Sequence, residues 1–431
     1  MTFVQRIEPA ACGCDAPEAS AGTVSIDDAL DCICERISGV TGTQRVALAN
    51  AVGRVLAEPI RARSDMPRFD HSAMDGFALR QGDLVGPGPW RLPVTMRCAA
   101  GEAADGALAP GCAARVFTGA PLPGGADCVM MQEEVAHHAG VIVVSRRPTR
   151  HENIRFRGEE YAEGSEILAG NVRITPRNIA VAASSGFGDL EVRRKIRVAL
   201  LVTGSEVARP GAGGLGAARI WDVNTPMLQA ALQRPDVEVV VIDVLPDAPG
   251  GIEDALAHAA RISDLVVTTG GVSVGEEDHL RAALHRAGGK IHFSGVSLKP
   301  GKPVTFGALG GAPWLGLPGN PQSAFVTWTL FGEAILRRLA GLNDTGMRKR
   351  FVVLSHPVER KPGRCEVRPA SLVGHDGMGR DLIDCRGPVR SGQVRVLSAS
   401  DGLVFLPSDA DCLPTGALVE FLPFRSSEGS A

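Results

Sequence analysis

The sequence lacks any apolar run long enough to span a bilayer, and its N-terminus shows no signal-peptide pattern. Its formal net charge is only -3 at pH 7, which gives no general attraction to nucleic acid or to an anionic membrane. We therefore expect a cytoplasmic protein without a nucleic-acid or membrane partner. Any binding site for an anion must be built locally.

The Cys-x-x-Cys spacing that is typical of structural zinc sites is also missing, although the chain has 10 cysteines. Two closer pairs occur, Cys12 with Cys14 and Cys32 with Cys34. The second pair lies in a predicted helix, where residues two apart point to nearly opposite sides. Buried or idle thiols, kept reduced in the cytoplasm, are favoured over a metal cluster.

The N-terminal part combines helical and β-rich patterns. An amphipathic helix is predicted over residues 25–38, with Ser25 as its N-cap and Asp28 in the capping-box position. A short helix is predicted over 48–60, and short apolar runs between glycines and prolines make 90–148 β-rich. We expect a helical domain at 23–62 plus 150–194 and a β-rich domain at 63–149.

From Lys195 onward, continuous apolar strands alternate with helical segments, which is typical of βαβ units and a parallel sheet. The predicted strands are 196–202, 237–244, 265–269, 291–296 and 314–317, and the predicted helices are 226–233, 252–260, 278–287 and 321–339. Since 431 residues are too many for one core, we expect an elongated α/β multi-domain chain. Its central parallel-sheet domain spans 195–345, and short strands over 346–425 indicate a small β-barrel or sandwich, of which we predict the barrel.

Two lysines, Lys299 and Lys302, lie on a turn that proline and glycine stiffen. A second turn, residues 317–321, then opens a helix. Fixed ammonium groups beside a helix N-terminus favour an anion, and rigid turns lose little entropy when it binds. The pattern predicts a site for phosphate or another oxyanion.

The glycine-rich segment 270–275 follows a predicted strand and precedes a predicted helix. Its glycines let backbone N–H groups approach a phosphate, but it matches neither a Walker A loop nor a dinucleotide fingerprint. A tight structural turn is nearly as plausible. The acids Glu276, Glu277 and Asp278 would repel a phosphate unless a divalent cation neutralised them, which favours Mg²⁺; alternatively they only favour the first helical turn.

Other polar residues have two interpretations each. Residues 222–226 could offer polar groups to a ligand, whereas Thr225 before a proline is also a good N-cap. Asp70 and Asp75 could bind a metal or move a proton, whereas Asp75 before glycine is also an ordinary turn signal. The charged loop 150–164 is interpreted as solvated and salt-bridged.

Together these motifs resemble the MoeA/gephyrin E-domain family of molybdopterin molybdenumtransferases. The matching segments, which run in order from about residue 25 to 330, include MPRFDHSAMDGFAL, FTGAPLPGGADCVMMQEE, ENIRFRGEE, LLVTGSEV, DVNTPML, TTGGVSVGEEDHL, LKPGKPVTFG and LGLPGNPQSAF. A weaker match follows at PGRCEVRP. So many ordered matches are more specific than any one motif.

The resemblance implies that molybdate is inserted into adenylylated molybdopterin with release of AMP, in a homodimer whose site lies between subunits and uses Mg²⁺. It implies catalytic roles for Asp278, Glu206, Asp247 and, from the partner subunit, Asp75, with Asp278 and Asp247 as metal ligands. It implies substrate contacts by Gly270, Gly271, Ser273, Gly275, Asp222, Asn224, Lys299, Lys302, Pro303, Ser323 and Arg364. Arg368 could help to steer the anions, and a molybdopterin adenylyltransferase is a possible partner.

The chain departs from the family pattern at the proposed anion site. Gly295 stands where many relatives carry a basic residue, and Arg395 and Val396 stand where relatives often carry serines. These departures leave the affinity and the preference for molybdate over tungstate open. The alternatives are a pterin-binding carrier or scaffold without activity, and an adenylyltransferase, against which the extra domains argue.

Overall fold

The computed structural model describes residues 22–103, 106–204, 206–211, 213, 215–245, 249–270, 279–342, 347–386 and 393–424. Within these ranges, no helix has the length and apolar character that crossing a membrane requires.

The chain before residue 194 forms one structural unit, into which a second segment that carries its own sheet is inserted. Its helices and strands are α1 (Ile26–Arg36), β1 (Thr43–Ala47), β2 (Ile60–Arg61), β3 (His71–Ser72), β4 (Gly76–Leu79), β5 (Trp90–Cys98), β6 (Ala113–Val116), β7 (Cys128–Met131), β8 (Val135–His138), β9 (Val141–Val144), β10 (Ile154–Arg155), β11 (Glu166–Leu168), α2 (Pro176–Ser184) and β12 (Asp189–Arg193). The outgoing strands β1, β2 and β3 pair antiparallel with the returning strands β12, β11 and β10. The sheet β7-β4-β6-β5-β9-β8 lies in the excursion between them, which confirms the β-rich prediction for 90–148.

The first helix is confirmed, with the cap that the sequence predicts. The Asp28 N–H donates to the Ser25 hydroxyl at 3.0 Å, and the Ser25 N–H donates back to the Asp28 carboxylate at 3.3 Å. This capping box satisfies two N–H groups that the helix itself leaves unpaired. The buried face of α1 packs against the core of the central domain through residues such as Ile26 and Ile33.

The helix predicted over 48–60 is wrong. Only a 3-10 turn at Leu48–Asn50 forms, and turns follow it. Gly53 has a φ of 81°, a left-handed conformation that interrupts a right-handed helix. Val55 and Leu56 then form antiparallel bridges to Arg173 and Val192, so tertiary pairing prevails over the local helical pattern.

The central domain is a mixed sheet covered by helices. Its elements are β13 (Ile196–Thr203), β14 (Val207–Ala208), β15 (Ile220–Trp221), α3 (Asn224–Ala231), β16 (Val237–Leu245), α4 (Pro249–Ile262), β17 (Leu265–Thr269), α5 (His279–Arg286), β18 (Lys290–Ser294), β19 (Leu298–Lys299), β20 (Thr305–Leu309), β21 (Ala312–Leu317), α6 (Pro321–Thr327) and α7 (Glu333–Leu339). The strand order is β16-β13-β17-β21-β20-β18. The first four strands run parallel, as the alternating pattern predicts.

Two details of this domain differ from the sequence prediction. The sequence prediction lacks the antiparallel strand β20, which pairs with β21 across a turn at Gly310 and Gly311, whose φ angles are 57° and 89°. The helix predicted over 321–339 contains a π-helical turn, Trp328–Gly332, between α6 and α7. A Cβ at Gly332 would lie 2.3 Å from the Trp328 ring, so this turn requires glycine.

The C-terminal strands close into a barrel, which confirms the predicted alternative. The elements are β22 (Arg350–Leu354), β23 (Val358–Glu359), β24 (Cys365–His375), β25 (Asp381–Asp384), α8 (Arg395–Ser398), β26 (Gly402–Leu406), β27 (Cys412–Leu413) and β28 (Leu418–Pro423). The pairing runs β24-β25-β22-β28-β26 and returns to β24. The short strand β19 of the central domain pairs in parallel with β24, which joins the two domains beside Lys299.

A buried carboxylate fixes the start of the central sheet to the preceding linker. Asp264 forms ion pairs with Arg194 at 2.6 Å and Arg197 at 3.2 Å, and its side chain is only 11% exposed. Burial raises the pKa of Asp264, but the hydrogen bonds from both guanidinium groups outweigh it and hold the pKa at about 2. The Asp264 carboxyl is therefore ionised at neutral pH.

Candidate functional site

The parallel strands β13, β17 and β21 end at one edge of the sheet, where their following residues meet. Gly270, directly after β17, has a φ of 90°, and its N–H donates to the Leu317 carbonyl at 3.2 Å. A Cβ on Gly270 would lie 2.5 Å from the carbonyl oxygen of Thr203. Only glycine allows the strand ends to approach this closely, and this edge is where open α/β sheets bind ligands.

Asn224 connects three segments at this edge. Its buried side-chain amide donates to the Thr269 hydroxyl at 2.9 Å and to the Gly319 carbonyl at 2.7 Å. The Thr269 hydroxyl donates in turn to the Pro318 carbonyl at 3.1 Å. Asn224 therefore holds the start of α3, the end of β17 and the turn before α6 together.

Val223 is the N-cap of the same helix, so the prediction of Thr225 as the N-cap is wrong. The helix begins at Asn224, one residue before Thr225. The carboxylate of Asp222, whose residue is only 4% exposed, accepts a hydrogen bond from the Thr225 N–H at 3.0 Å. Asn224 thus lies at the sheet edge, whereas Asp222 contacts the first turn of α3, and both side chains have structural partners.

Several buried polar atoms at this edge have no hydrogen-bond partner among the described residues. They are Oγ1 of Thr203, Thr225 and Thr268, Oδ1 of Asn224, and both side-chain polar atoms of Gln322. A buried polar group without a partner costs about 1–3 kcal/mol. A polar ligand at the sheet edge would satisfy such atoms. Among these residues, only Asn224 and Thr225 lie in a segment, 222–226, for which the sequence predicts contact with a ligand.

The lysine turn contacts the last residue of helix α6 and leads into β20 at the carboxyl edge of the sheet, where Thr305 pairs with Gly316. Gly301 lies between the two lysines with a φ of 113°, and a Cβ there would lie 2.5 Å from the Thr327 methyl group. The Lys299 side chain is 43% exposed, and Lys302 is exposed. Ser323 lies in the first turn of α6 and is 4% exposed.

Glu366 of the barrel contacts Lys299, a connection that the sequence does not reveal. The Lys299 ammonium group donates to Glu366 Oε1 at 3.2 Å, and the Glu366 side chain is 1% exposed. Arg368 Nε donates to the same oxygen at 3.0 Å, and Arg360 Nε lies 3.6 Å from Glu366 Oε2. Burial raises the pKa of Glu366, but its bonds to Arg368 and Lys299 lower the pKa by more than burial raises it. The net pKa is therefore below the usual value, and the carboxyl is ionised.

Arg364 also lies beside the lysine turn. Its guanidinium donates to the Leu298 carbonyl at 3.4 Å, and its side chain is half-buried. The buried Arg368 is committed to Glu366. Of the two arginines that the resemblance brings to the anion site, Arg364 is therefore the more available to a ligand.

Asp75 lies in the β-rich sheet region and is held by Thr118. Asp75 Oδ1 accepts hydrogen bonds from the Thr118 N–H at 2.8 Å and from its hydroxyl at 2.9 Å. These bonds lower the pKa of Asp75. The sequence gives no signal for this role of Thr118 beyond its place in the FTGAP segment. Among the described residues, no hydrogen bond or ion pair joins Asp75 to the central domain.

The charged loop 150–164 is salt-bridged, which confirms that interpretation. Arg155 pairs with Glu159 at 2.7 Å, and Arg157 pairs with Asp65. Asp70 accepts a hydrogen bond from the Arg157 N–H at 2.8 Å. Asp70 thus has a structural role in shaping this loop.

Of the remaining predicted catalytic residues, only Glu206 lies within the described residues. Glu206 is exposed, and its carboxylate lies beside Gly204, where a Cβ would come within 2.9 Å of Oε2. The glycine-rich loop and the predicted metal ligands lie outside the described residues: Gly271, Ser273, Gly275, Asp247 and Asp278. The described residues hold no cluster of three or more His, Cys, Asp or Glu side chains suited to a metal ion.

Three family matches cover most of the chain. Residues 24–186 match the MoeA N-terminal region (domain I and II), 199–338 match a probable molybdopterin binding domain, and 352–424 match the MoeA C-terminal region (domain IV).

Curated relatives and solved structures agree with these matches. The molybdopterin molybdenumtransferase of Haemophilus influenzae is 35% identical over 319 residues, which is 74% of this chain and 78% of that protein. The molybdopterin molybdenumtransferase of a Nostoc species is 33% identical over 87% of both chains. The crystal structure of the moeA protein from Pyrococcus horikoshii matches with a TM-score of 0.81 at 28% identity, covering 93% of this chain and 100% of that one. The chain belongs to the MoeA family of molybdopterin molybdenumtransferases.

Proposed function

We propose that the protein inserts molybdate into adenylylated molybdopterin, releasing AMP and forming molybdenum cofactor. The observation that carries this proposal is the place of the lysine turn at the carboxyl edge of the sheet: it leads into β20, whose first residue Thr305 pairs with Gly316 at the end of β21, and Gly270 and Gly319 lie together at the same edge. An oxyanion site therefore adjoins an edge suited to a pyrophosphate. The names of the relatives support the same reaction.

Molybdate is a tetrahedral dianion, and the lysine turn offers matching charge. Lys299 and Lys302 present ammonium groups on a turn fixed by Gly301, and Arg364 lies on the barrel side of the same turn. Pro303 and Ser323 complete the proposed contacts. Fixed cations aimed at an anion cost no reorganisation when charge develops during the reaction.

The pterin pyrophosphate is proposed to lie along the carboxyl edge of the sheet. Gly270 brings backbone close to this edge, and the unpaired Oδ1 of Asn224 and Oγ1 of Thr203 can contact a polar ligand. The work of the site is mainly to hold the two substrates in register.

Mg²⁺ is the proposed cation, with Asp278 and Asp247 as its ligands. Within the described residues, the exposed carboxylate of Glu206 beside Gly204 supports a cation at the end of β13, because carboxylate oxygens are the ligands that Mg²⁺ prefers. When bound, the ion would neutralise phosphate charge. AMP release should depend on added Mg²⁺ and be abolished by chelation; release that is unchanged by chelation would contradict this assignment.

We also propose a homodimer in which Asp75 completes the site of the partner subunit. Support comes from Asp75 being bonded within its own β-rich region rather than to the central domain. Asp75→Asn and Lys299→Ala proteins, each inactive alone, can be dissociated and mixed. Random mixing should restore about a quarter of the wild-type activity, because half the dimers would be mixed and each would have one intact site. No restoration would contradict a shared site.

The reaction itself is tested with purified protein, adenylylated molybdopterin and Mg²⁺, with and without molybdate. We expect AMP release that depends on molybdate. Tight pterin binding without AMP release would contradict the proposed activity and favour a carrier. Formation of an AMP ester from ATP would instead indicate an adenylyltransferase.

A further inference from the structure

We propose that Glu366 is a positioning residue for the oxyanion site, which it serves from the barrel by holding the Lys299 ammonium group. This inference rests on the proposed function and adds to it a residue that touches neither substrate. It concerns how the barrel and the central domain together build the anion site.

The backbone already brings the two residues into register. Strand β19 pairs in parallel with β24, so that Lys299 lies opposite Glu366 and Leu298 lies opposite Cys365. Arg364 bonds the Leu298 carbonyl from the same strand-to-strand junction. The lysine turn is thus an extension of the barrel sheet as well as part of the central domain.

The two side chains differ in burial: Glu366 is buried and Lys299 is partly exposed. The Glu366 side chain is 1% exposed, while that of Lys299 is 43% exposed at a distance of 3.2 Å. An ammonium group has three N–H donors, and Glu366 takes one of them. The bond fixes the direction of the lysine while leaving donors for an oxyanion.

Glu366 is itself held from the other side. Arg368 bonds its Oε1 at 3.0 Å, and Arg360 lies 3.6 Å from its Oε2. Three cations thus surround one carboxylate, which leaves a net local charge of +2 (three positive groups minus one negative). The buried carboxylate cannot swing away, so it is a rigid support for the flexible lysine side chain.

The positioning role and a simple charge role predict opposite signs. If Glu366 acted only as a nearby negative charge, Glu366→Gln would strengthen the binding of a dianion. If it positions Lys299, the same substitution weakens that binding despite the additional net positive charge. The direction of the change therefore decides between the two.

The test measures molybdate affinity by calorimetry on the full-length chain. For Glu366→Gln we expect the Kd for molybdate to rise about tenfold, the scale of a hydrogen bond to a charged group. In a Lys299→Ala background, Glu366→Gln should change the Kd no further. Tighter or unchanged binding by Glu366→Gln, or an equal loss in the Lys299→Ala background, would overturn the proposal.

Two further variants separate this effect from misfolding and from charge. Glu366→Gln combined with Arg360→Met keeps the local net charge at +2, removes no direct partner of Lys299 beyond Glu366, and should show the same loss of affinity. Glu420→Gln removes the carboxylate of another Lys–Glu pair in the barrel, which joins Lys349 at 2.9 Å, and should leave the Kd unchanged. If neither Glu366 variant folds, as judged by thermal unfolding, the residue is structural and the proposal is wrong.

The proposed function can fail separately from this inference. Wild-type protein that neither binds molybdate nor releases AMP contradicts the proposed function. Wild-type protein that does both, beside a Glu366→Gln variant with unchanged affinity, contradicts only the positioning role.

Discussion

Replacing Asn224 with alanine removes the amide that connects α3, the end of β17 and the turn before α6. The bonds to Thr269 and to the Gly319 carbonyl, at 2.9 and 2.7 Å, are both lost. Each contributes about 1 kcal/mol net, so we expect the free energy of unfolding to fall by about 2 kcal/mol. That is roughly a 30-fold change in the folding equilibrium.

The same variant should lose substrate affinity, because the buried Oδ1 of Asn224 is one of the acceptors available at the sheet edge. The KM for adenylylated molybdopterin is expected to rise, while the Kd for molybdate at the lysine turn stays close to that of wild type. Urea unfolding measures the first effect, and steady-state AMP release measures the second.

Asn224→Asp distinguishes the donor from the acceptor. Aspartate keeps the volume and an acceptor oxygen but places a carboxylate oxygen against the Gly319 carbonyl. Burial and this carbonyl favour the protonated form, so the loss of stability relative to wild type should shrink as the pH falls and the carboxyl regains a proton to donate. A loss of stability that does not depend on pH would contradict this.

Asn178→Ala is the matched control. Asn178 accepts a hydrogen bond from the Thr175 N–H at 2.8 Å at the start of α2, far along the chain from the sheet edge. It should lower stability by about 1 kcal/mol without changing either substrate constant. An unfolding free energy for Asn224→Ala within about 0.5 kcal/mol of wild type would refute the reasoning, since buried hydrogen bonds of this kind contribute more.

Three further predictions concern stability. Gly295→Lys, which introduces the basic residue that the family resemblance leads us to expect, should lower the unfolding free energy by about 1–3 kcal/mol in urea, because Gly295 has a φ of 93°; an unchanged midpoint would contradict this. Gly332→Ala should lower it by a similar 1–3 kcal/mol (roughly the cost of overpacking), since its Cβ would lie 2.3 Å from a buried ring; a stabilised variant would be the opposing result. The pKa of Asp264 is lowered to about 2 in the folded protein, so its ion pairs contribute roughly 2 kcal/mol to the free energy of unfolding. This contribution is present above the unfolded pKa of about 4 and is lost as the pH falls towards 2. Asp264→Asn should therefore flatten this part of the curve of stability against pH, and an unaltered curve would count against the ion pairs.

Periodicity and capping chemistry predict the elements of this chain where local and tertiary preferences agree. The strand over Leu265–Thr269 and the helix from Ile26 are correct, because a continuous apolar run and a capping box each favour one structure. The helix predicted over 48–60 failed because left-handed Gly53 and long-range bridges compete with the local pattern. The missed strand β20 carried a signal, the Gly-Gly turn typical of hairpins.

The motifs of the candidate site could be predicted from the sequence, but the contacts between distant residues in it could not. The lysine turn and the turn before α6 could be assigned together because both carry anion-binding chemistry. Glu366 is 67 residues from Lys299, and Thr118 is 43 residues from Asp75. Contacts between residues so far apart along the chain produce no periodic pattern in the sequence, so only the folded structure reveals these partners.

The most direct test of the account compares molybdate-dependent AMP release by wild type with that by Lys299→Ala. Both proteins receive adenylylated molybdopterin and Mg²⁺ over a series of molybdate concentrations, and Lys349→Ala, which removes the barrel lysine paired with Glu420, serves as the control. We predict that wild type and Lys349→Ala release AMP only with molybdate and that Lys299→Ala loses this response. Molybdate-dependent release by Lys299→Ala equal to that of wild type would contradict the assignment of the lysine turn as the oxyanion site.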